Sequence, residues 1–316
     1  MSLWLPPLAL LLDLLFADPR RLPHPVQGIG LLANTMEGPA RRMKHPVMAG
    51  ALVLLALLLL AGSAVTLLIR LPFGLGTCAA IYCAWSGLAL GGLVQKCTEA
   101  LHVVHAAETA PETLPLARQA VGMLVSRDTA AMNTADLYRS LAESVSENFN
   151  DAFVAPYFWL CLGGPVALWL YKTASTMDSM WGYTSERWLY LGRASARLDD
   201  LLAFIPARLS ALLLWLSAGA IFTRSGWPGY ATVSRQARQS ASPNAGWPMA
   251  TAAWLFDGRT GGPTPYNGVL VHKPLMGRES GAWQYANTAA LIRHVRRSGI
   301  VGGLLAAVLA ALIQFL

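Results

Sequence analysis

Residues Pro46–Ile69 read PVMAGALVLLALLLLAGSAVTLLI, a run without one charged side chain. Roughly 20 apolar residues in helical form cross the hydrocarbon core of a bilayer. A helix also satisfies its own backbone hydrogen bonds, which lipid cannot do. Leu75–Val94 and Gly299–Leu316 are equally free of charge. The whole chain is 54% hydrophobic and only 13% charged, about half the charged share of an ordinary soluble domain. Such a chain cannot cover a water-facing surface.

Working outward from these runs, Trp4 to Phe16 forms a shorter apolar segment interrupted by Asp13 and running into Asp18-Pro19-Arg20-Arg21. It has no basic leader or small-residue cleavage site, so it reads as a retained first helix. Two further stretches are ambiguous between spanning and re-entrant. Residues 152–171 are broken by Gly163-Gly164-Pro165, and residues 201–222 hold Pro206 and Arg208. The expectation is an all-α, polytopic helical integral membrane protein with about four to six embedded helices. Its spans fall near residues 3–17, 46–69, 75–94 and 299–316, with polar segments at 96–151, 172–200 and 223–298. The first polar segment has helical periodicity. The last is rich in Gly, Pro, Trp and Asn and reads as ordered loops that position groups.

Charge sets the expected orientation. Arg20, Arg21, Arg41, Arg42 and Lys44 crowd one loop, whereas the next offers only Arg70. The positive-inside rule therefore places residues 18–45 in the cytoplasm and both termini outside, in a bacterial inner membrane with functional loops facing the cytoplasm. The net charge of +7 flanks apolar helices and forms no basic stripe with interleaved aromatics, which excludes a nucleic-acid partner. Cys78, Cys83, Cys97 and Cys161 lack metal-type spacing and read as small buried hydrophobes.

Three groups of polar residues could carry chemistry. Glu143, Glu147 and Asp151 stand at i, i+4 and i+8, and on an unbroken helix they share one face. Like charges at that spacing repel, so something cationic should sit opposite. A Mg²⁺ ion is the sharper reading, since hard cations take oxygen ligands, and a solvated helix end is the plainer one. Next comes a run containing Lys172, Asp178, Tyr183, Arg193, Arg197, Asp199 and Asp200, followed by Arg208 within an apolar stretch. Arg193 and Arg197 lie one helical turn apart, suited to gripping one anion. A charge inside an apolar run is a functional candidate by default, while surface ion pairing accounts for the others equally well. Last, the proline-stiffened turn Asp18 to Pro25 could aim Asp18 and His24, or could simply reverse the chain.

No phosphate loop, dinucleotide fingerprint or HExxH zinc pattern is present. The sequence nevertheless resembles the CbiB/CobD family of cobalamin-biosynthesis proteins, the adenosylcobinamide-phosphate synthases. The resemblance rests on Asp18-Pro19 to His24-Pro25-Val26, Glu143-Ser-Val-Ser-Glu147-Asn148 with Asp151, and Tyr171-Lys172 through Asp178-Ser179-Met180 to Gly182-Tyr183. It continues through Ser195-Ala196-Arg197-Leu198-Asp199-Asp200, Ile205-Pro206-Ala207-Arg208-Leu209 and Ser242-Pro243-Asn244-Ala245-Gly246-Trp247-Pro248.

That resemblance implies an ATP-dependent ligase joining a propionate of adenosylcobyric acid to the amine of aminopropanol phosphate. On this reading Mg²⁺ sits at Glu143, Glu147 and Asp151. His24, Lys172, Tyr183, Arg193, Arg197, Arg208, Asn244 and Trp247 bind substrate or phosphate, and Asp178, Asp199 and Asp200 are the catalytic carboxylates. The Trp247 indole offers a flat apolar face for a corrin edge. Other membrane-bound cobalamin-assembly enzymes are expected partners beside the lipid bilayer. Two rivals remain: a Mg-dependent intramembrane phosphotransferase or prenyltransferase, whose Asp-Gly-x-x-Ala-Arg pattern Asp257-Gly258-Arg259 does not continue, and a corrinoid transporter or scaffold, for which internal repeats would be expected.

Overall fold

The computed structural model describes residues 3–17, 24–183, 185–219, 229–266 and 268–314. It is an all-α polytopic membrane fold. Three helical stretches are long and apolar enough to cross a membrane: Pro46–Ile69, Leu75–Thr109 and Thr134–Trp181. A fourth span arises if the pair Arg193–Leu202 and Phe204–Ser217, bent by 45°, counts as one. The chain divides into two compact units, one of residues 1–89, 155–204 and 303–316, the other of residues 90–154 and 205–302.

The first unit contains α1 (Leu5–Phe16), α2 (Pro25–Arg41), α3 (Pro46–Ile69), α4 (Leu75–Ser86), α8 (Ala155–Trp181) and α9 (Arg193–Leu202). Helix α3 packs Ala49, Val53, Leu54 and Leu57 against Met177, Trp181 and Leu191. Its other side exposes Leu52, Leu55, Leu59, Leu60 and Leu67, a face that only hydrocarbon covers without cost. Helix α8 is interrupted as its sequence suggests: Gly164 has φ 68° and ψ −162°, a conformation reserved in practice for glycine. Pro165 follows with no N–H to give. The Trp169 indole bridges from α8 to the Cys83 carbonyl at 2.8 Å.

The second unit holds α5 (Leu90–Thr109), α6 (Leu114–Gly122), α7 (Thr134–Asn148) and most of α10 (Phe204–Ser217). It also holds α11 (Tyr230–Ala237), α12 (Gly246–Leu255), a hairpin of β1 (Arg259–Tyr266) and β2 (Val269–Gly277), and the first part of α13 (Tyr285–Gln314). A single-turn π-helix, Phe149–Val154, follows α7. The hairpin is antiparallel, pairing Gly262 with Lys273 and Tyr266 with Val269, with a register irregularity between Thr260 and Gly262.

Several boundaries differ from the sequence expectation. The apolar run at 75–94 is divided between α4 and α5 at residues 87–89, where the Gly87 position abuts Leu168: a Cβ there would lie 2.5 Å from Leu168 Cδ2. The described part of the 223–298 segment, residues 229–266 and 268–298, is a packed arrangement of helices and a hairpin, not loops, since Val233, Ala237, Trp247, Met249, Ala250 and Met276 share one core. The closing apolar run is the second half of a helix that begins at Tyr285. The Asp18 to Pro23 part of the proline turn lies outside the described residues.

Candidate functional site

Helix α7 begins at Asn133, whose side chain accepts a hydrogen bond from the Asp136 N–H at 2.9 Å, a standard N-cap. From that fixed start, Glu143 points into the second unit and is 2% exposed. Both of its oxygens are engaged. Arg127 Nη1 lies 2.6 Å from Oε2, and the Gly261 N–H donates to Oε1 at 2.7 Å. Arg127 is itself buried and also reaches Ser140 Oγ at 3.3 Å. The required cation is therefore present as a guanidinium from the loop before α7.

Glu147, one turn further, is only partly buried and makes no hydrogen bond or ion pair with a described residue. Asp151 lies in the π-helical turn, where its Oδ1 accepts from Asn150 Nδ2 at 2.7 Å. Among the described residues no group of three His, Cys, Asp or Glu side chains is placed to hold a metal ion. With Glu143 saturated by a cation and an N–H, the three carboxylates do not fit the expected Mg²⁺ site.

Arg208, Asn244 and Trp247 are brought together in the same unit. Arg208 Nη1 donates to Asn244 Oδ1 at 3.0 Å and Nη2 to the Pro243 carbonyl at 3.3 Å. The guanidinium lies 4.8 Å from the Trp247 ring centroid, and Tyr230 lies 5.7 Å from that ring. Trp247 is 3% exposed, so its faces are covered by protein and it positions Arg208; it offers no open platform to a corrin edge.

In the first unit, Lys172 and Asp178 project from α8, and Arg193, Arg197, Asp199 and Asp200 from α9. Asp178 Oδ1 overlies Gly182, where a Cβ would approach within 1.9 Å, so glycine there is needed for the turn. Asp178 and Asp200 feel each other's charge, and Arg197 offsets that of Asp200. Arg193 and Arg197 are exposed, as is Tyr183. His24 serves as the N-cap of α2, its Nδ1 accepting from the Val26 N–H at 3.3 Å.

The family model described as CobD/Cbib protein matches residues 6–295. The chain is 40% identical over 277 residues to the cobalamin biosynthesis protein CobD of Pelobacter propionicus, covering 85% of this chain and 83% of that protein. The protein of the same name from Geobacter metallireducens is 38% identical over 276 residues, 85% of this chain and 84% of its own. That of Klebsiella pneumoniae is 35% identical over 283 residues, 85% of each. The chain belongs to the CobD/Cbib family. No solved structure matches it.

The CobD/Cbib chain also uses residues that sequence reasoning passed over. Arg127 lies in Ser126-Arg127-Asp128 with no motif around it; only the repulsion between Glu143 and Glu147 signalled that a cation was needed. Lys273 and Gly261 enter through the hairpin, for which Asn267-Gly268 between two apolar-containing segments was the available sign. Glu37 of α2 is a third. It binds Arg41 at 2.8 Å and also Arg187. The two guanidinium groups flank the Trp188 ring at 4.8 and 4.9 Å, fastening the loop before α9 onto α2.

Proposed function

We propose that this protein works in cobalamin biosynthesis as an ATP-dependent acid–amine ligase, forming the amide between a propionate carboxylate of adenosylcobyric acid and aminopropanol phosphate to give adenosylcobinamide phosphate. The observation that carries the reading is family membership over residues 6–295, supported by relatives named for cobalamin biosynthesis. It resides in the inner membrane, with its active-site loops on the cytoplasmic side where ATP is found, near other membrane-bound enzymes of corrinoid assembly.

A carboxylate is a poor electrophile at neutral pH, so the reaction needs an activating co-reactant. ATP supplies it, and Mg²⁺ enters as the counter-ion of the nucleotide phosphates; the α7 carboxylates are not assigned to it. Lys172, Arg193 and Arg197 provide cationic groups for phosphate or the substrate carboxylate. Asp178, Asp199 and Asp200 are the carboxylates of the first unit available to take the amine proton. Arg208, fixed by Asn244 and Trp247, presents an oriented guanidinium.

Incubating the purified protein in nanodiscs with adenosylcobyric acid, aminopropanol phosphate and Mg-ATP, then weighing the corrinoid by mass spectrometry, tests this. The expected product is heavier by the donor less one water, and forms only with ATP. An unchanged corrinoid mass would favour a transporter or scaffold.

A further inference from the structure

Around α7 in the second unit, most charges are matched. Arg127 is paired with Glu143, and Arg139 lies 3.1 Å from Asp136 while donating to the Pro263 carbonyl at 3.1 Å. Two charges remain. Glu147 is partly buried with no ion pair or hydrogen bond among the described residues, and Lys273 has no ion pair among them either.

The hairpin brings the backbone of Lys273 toward α7. Gly261 donates its N–H to Glu143, one helical turn before Glu147, and the adjacent Gly262 is the ladder partner of Lys273. Lys273 Nζ is held 5.0 Å from the Tyr266 ring centroid. The strongest attraction acting on Glu147 comes from Lys273, then from Arg127. Opposite charges that attract without pairing leave each group only partly compensated in a partly buried setting.

A simple cation drawn to Glu147 would meet Lys273, and a simple anion drawn to Lys273 would meet Glu147. A small bipolar molecule satisfies both. We infer that Glu147 and Lys273 form a subsite for a zwitterionic aminoalkyl phosphate, with the ammonium at Glu147 and the phosphate at Lys273. The inference rests on the ligase reading and assigns to Glu147 the donor amine that residue chemistry alone gave to Asp178, Asp199 or Asp200. The same chemistry occurs in free aminopropanol phosphate and in an ethanolamine lipid headgroup; the free donor is the occupant assigned.

The test is calorimetric titration of the full chain in phosphatidylcholine nanodiscs with aminopropanol phosphate, propyl phosphate and aminopropanol. Wild type should bind the zwitterion roughly tenfold or more tighter than either fragment, the loss expected for one charge-assisted contact. Glu147→Gln should abolish the preference over propyl phosphate. Lys273→Met should abolish the preference over aminopropanol, and Lys273→Arg should retain it, with thermal unfolding confirming that each variant is folded. Wild-type preferences in both Glu147→Gln and Lys273→Met would overturn the subsite. Loss of donor binding in phosphatidylethanolamine nanodiscs would assign the pair to lipid and overturn it as well. Product formation with an unchanged donor KM in both variants would refute the subsite while the ligase reading stands. Selective zwitterion binding without product would refute the ligase reading while the subsite stands.

Discussion

Arg127 Nη1 and Glu143 Oε2 lie 2.6 Å apart, with side chains 5% and 2% exposed. Burial works to lower the pKa of the Arg127 guanidinium, but Glu143 and Tyr266 outweigh it and hold the pKa above its ordinary value. Arg127 therefore stays charged, and the mutual repulsion expected of the α7 carboxylates is relieved from within the chain. The arrangement also ties the loop before α7 to the helix and, through Gly261, to the hairpin.

The backbone at Gly261 carries part of that arrangement. Its φ is +85°, and a Cβ there would lie 2.0 Å from the Pro274 carbonyl oxygen. Gly261→Ala should cost at least about 1–3 kcal/mol from backbone strain alone, with further loss from the overlap. Thermal unfolding of the variant in detergent measures this, and an unchanged midpoint would mean that the hairpin does not hold Glu143.

Arg208 makes two directed hydrogen bonds while lying over the Trp247 ring. Lysine keeps the charge but not the planar fork. Arg208→Lys should therefore lose roughly 1.5–3 kcal/mol, the range for charge-assisted hydrogen bonds, and should lower amide formation. Unfolding midpoints and product yield report the two effects separately; wild-type values for both would show that charge alone suffices.

Glu37 supplies a pH dependence. Burial opposes its ionisation, but hydrogen bonds and attraction from Arg187 and Arg41 win, and its pKa falls below the usual carboxylate range. A lowered folded-state pKa means that the stabilisation is full above the unfolded-state value and is lost as pH falls through the folded-state value. Trp188, flanked by the two arginines, should change its fluorescence on acidification in that window. Glu37→Gln should remove the step. Persistence of the same acid transition in Glu37→Gln would assign it to another group.

Much of the membrane fold is legible from individual residues. The uncharged run of α3 requires a span, and Gly163-Gly164-Pro165 requires the break found within α8. The need for a cation beside Glu143 follows from its spacing to Glu147. The identity of that cation does not, because Arg127 is one of 24 basic residues and is brought to α7 only by tertiary packing. The π-helical turn has no local signature in Phe149–Val154. Strand β1 was hidden by Gly261, Gly262, Pro263 and Pro265, residues that disfavour strands by propensity. Its pairing with β2 overrides that preference.

The most direct measurement is a double-mutant cycle on Arg127 and Glu143 in chelator-treated protein, repeated after adding Mg²⁺. Arg127→Met and Glu143→Gln should each destabilise, with Arg127→Met losing about 3–5 kcal/mol because it leaves a buried charge uncompensated. The double variant should lose less than the sum of the two, and Mg²⁺ should leave the coupling unchanged. Additive losses, or a wild-type stability that depends on Mg²⁺, would contradict the assignment of Arg127 as the cation of the α7 carboxylates.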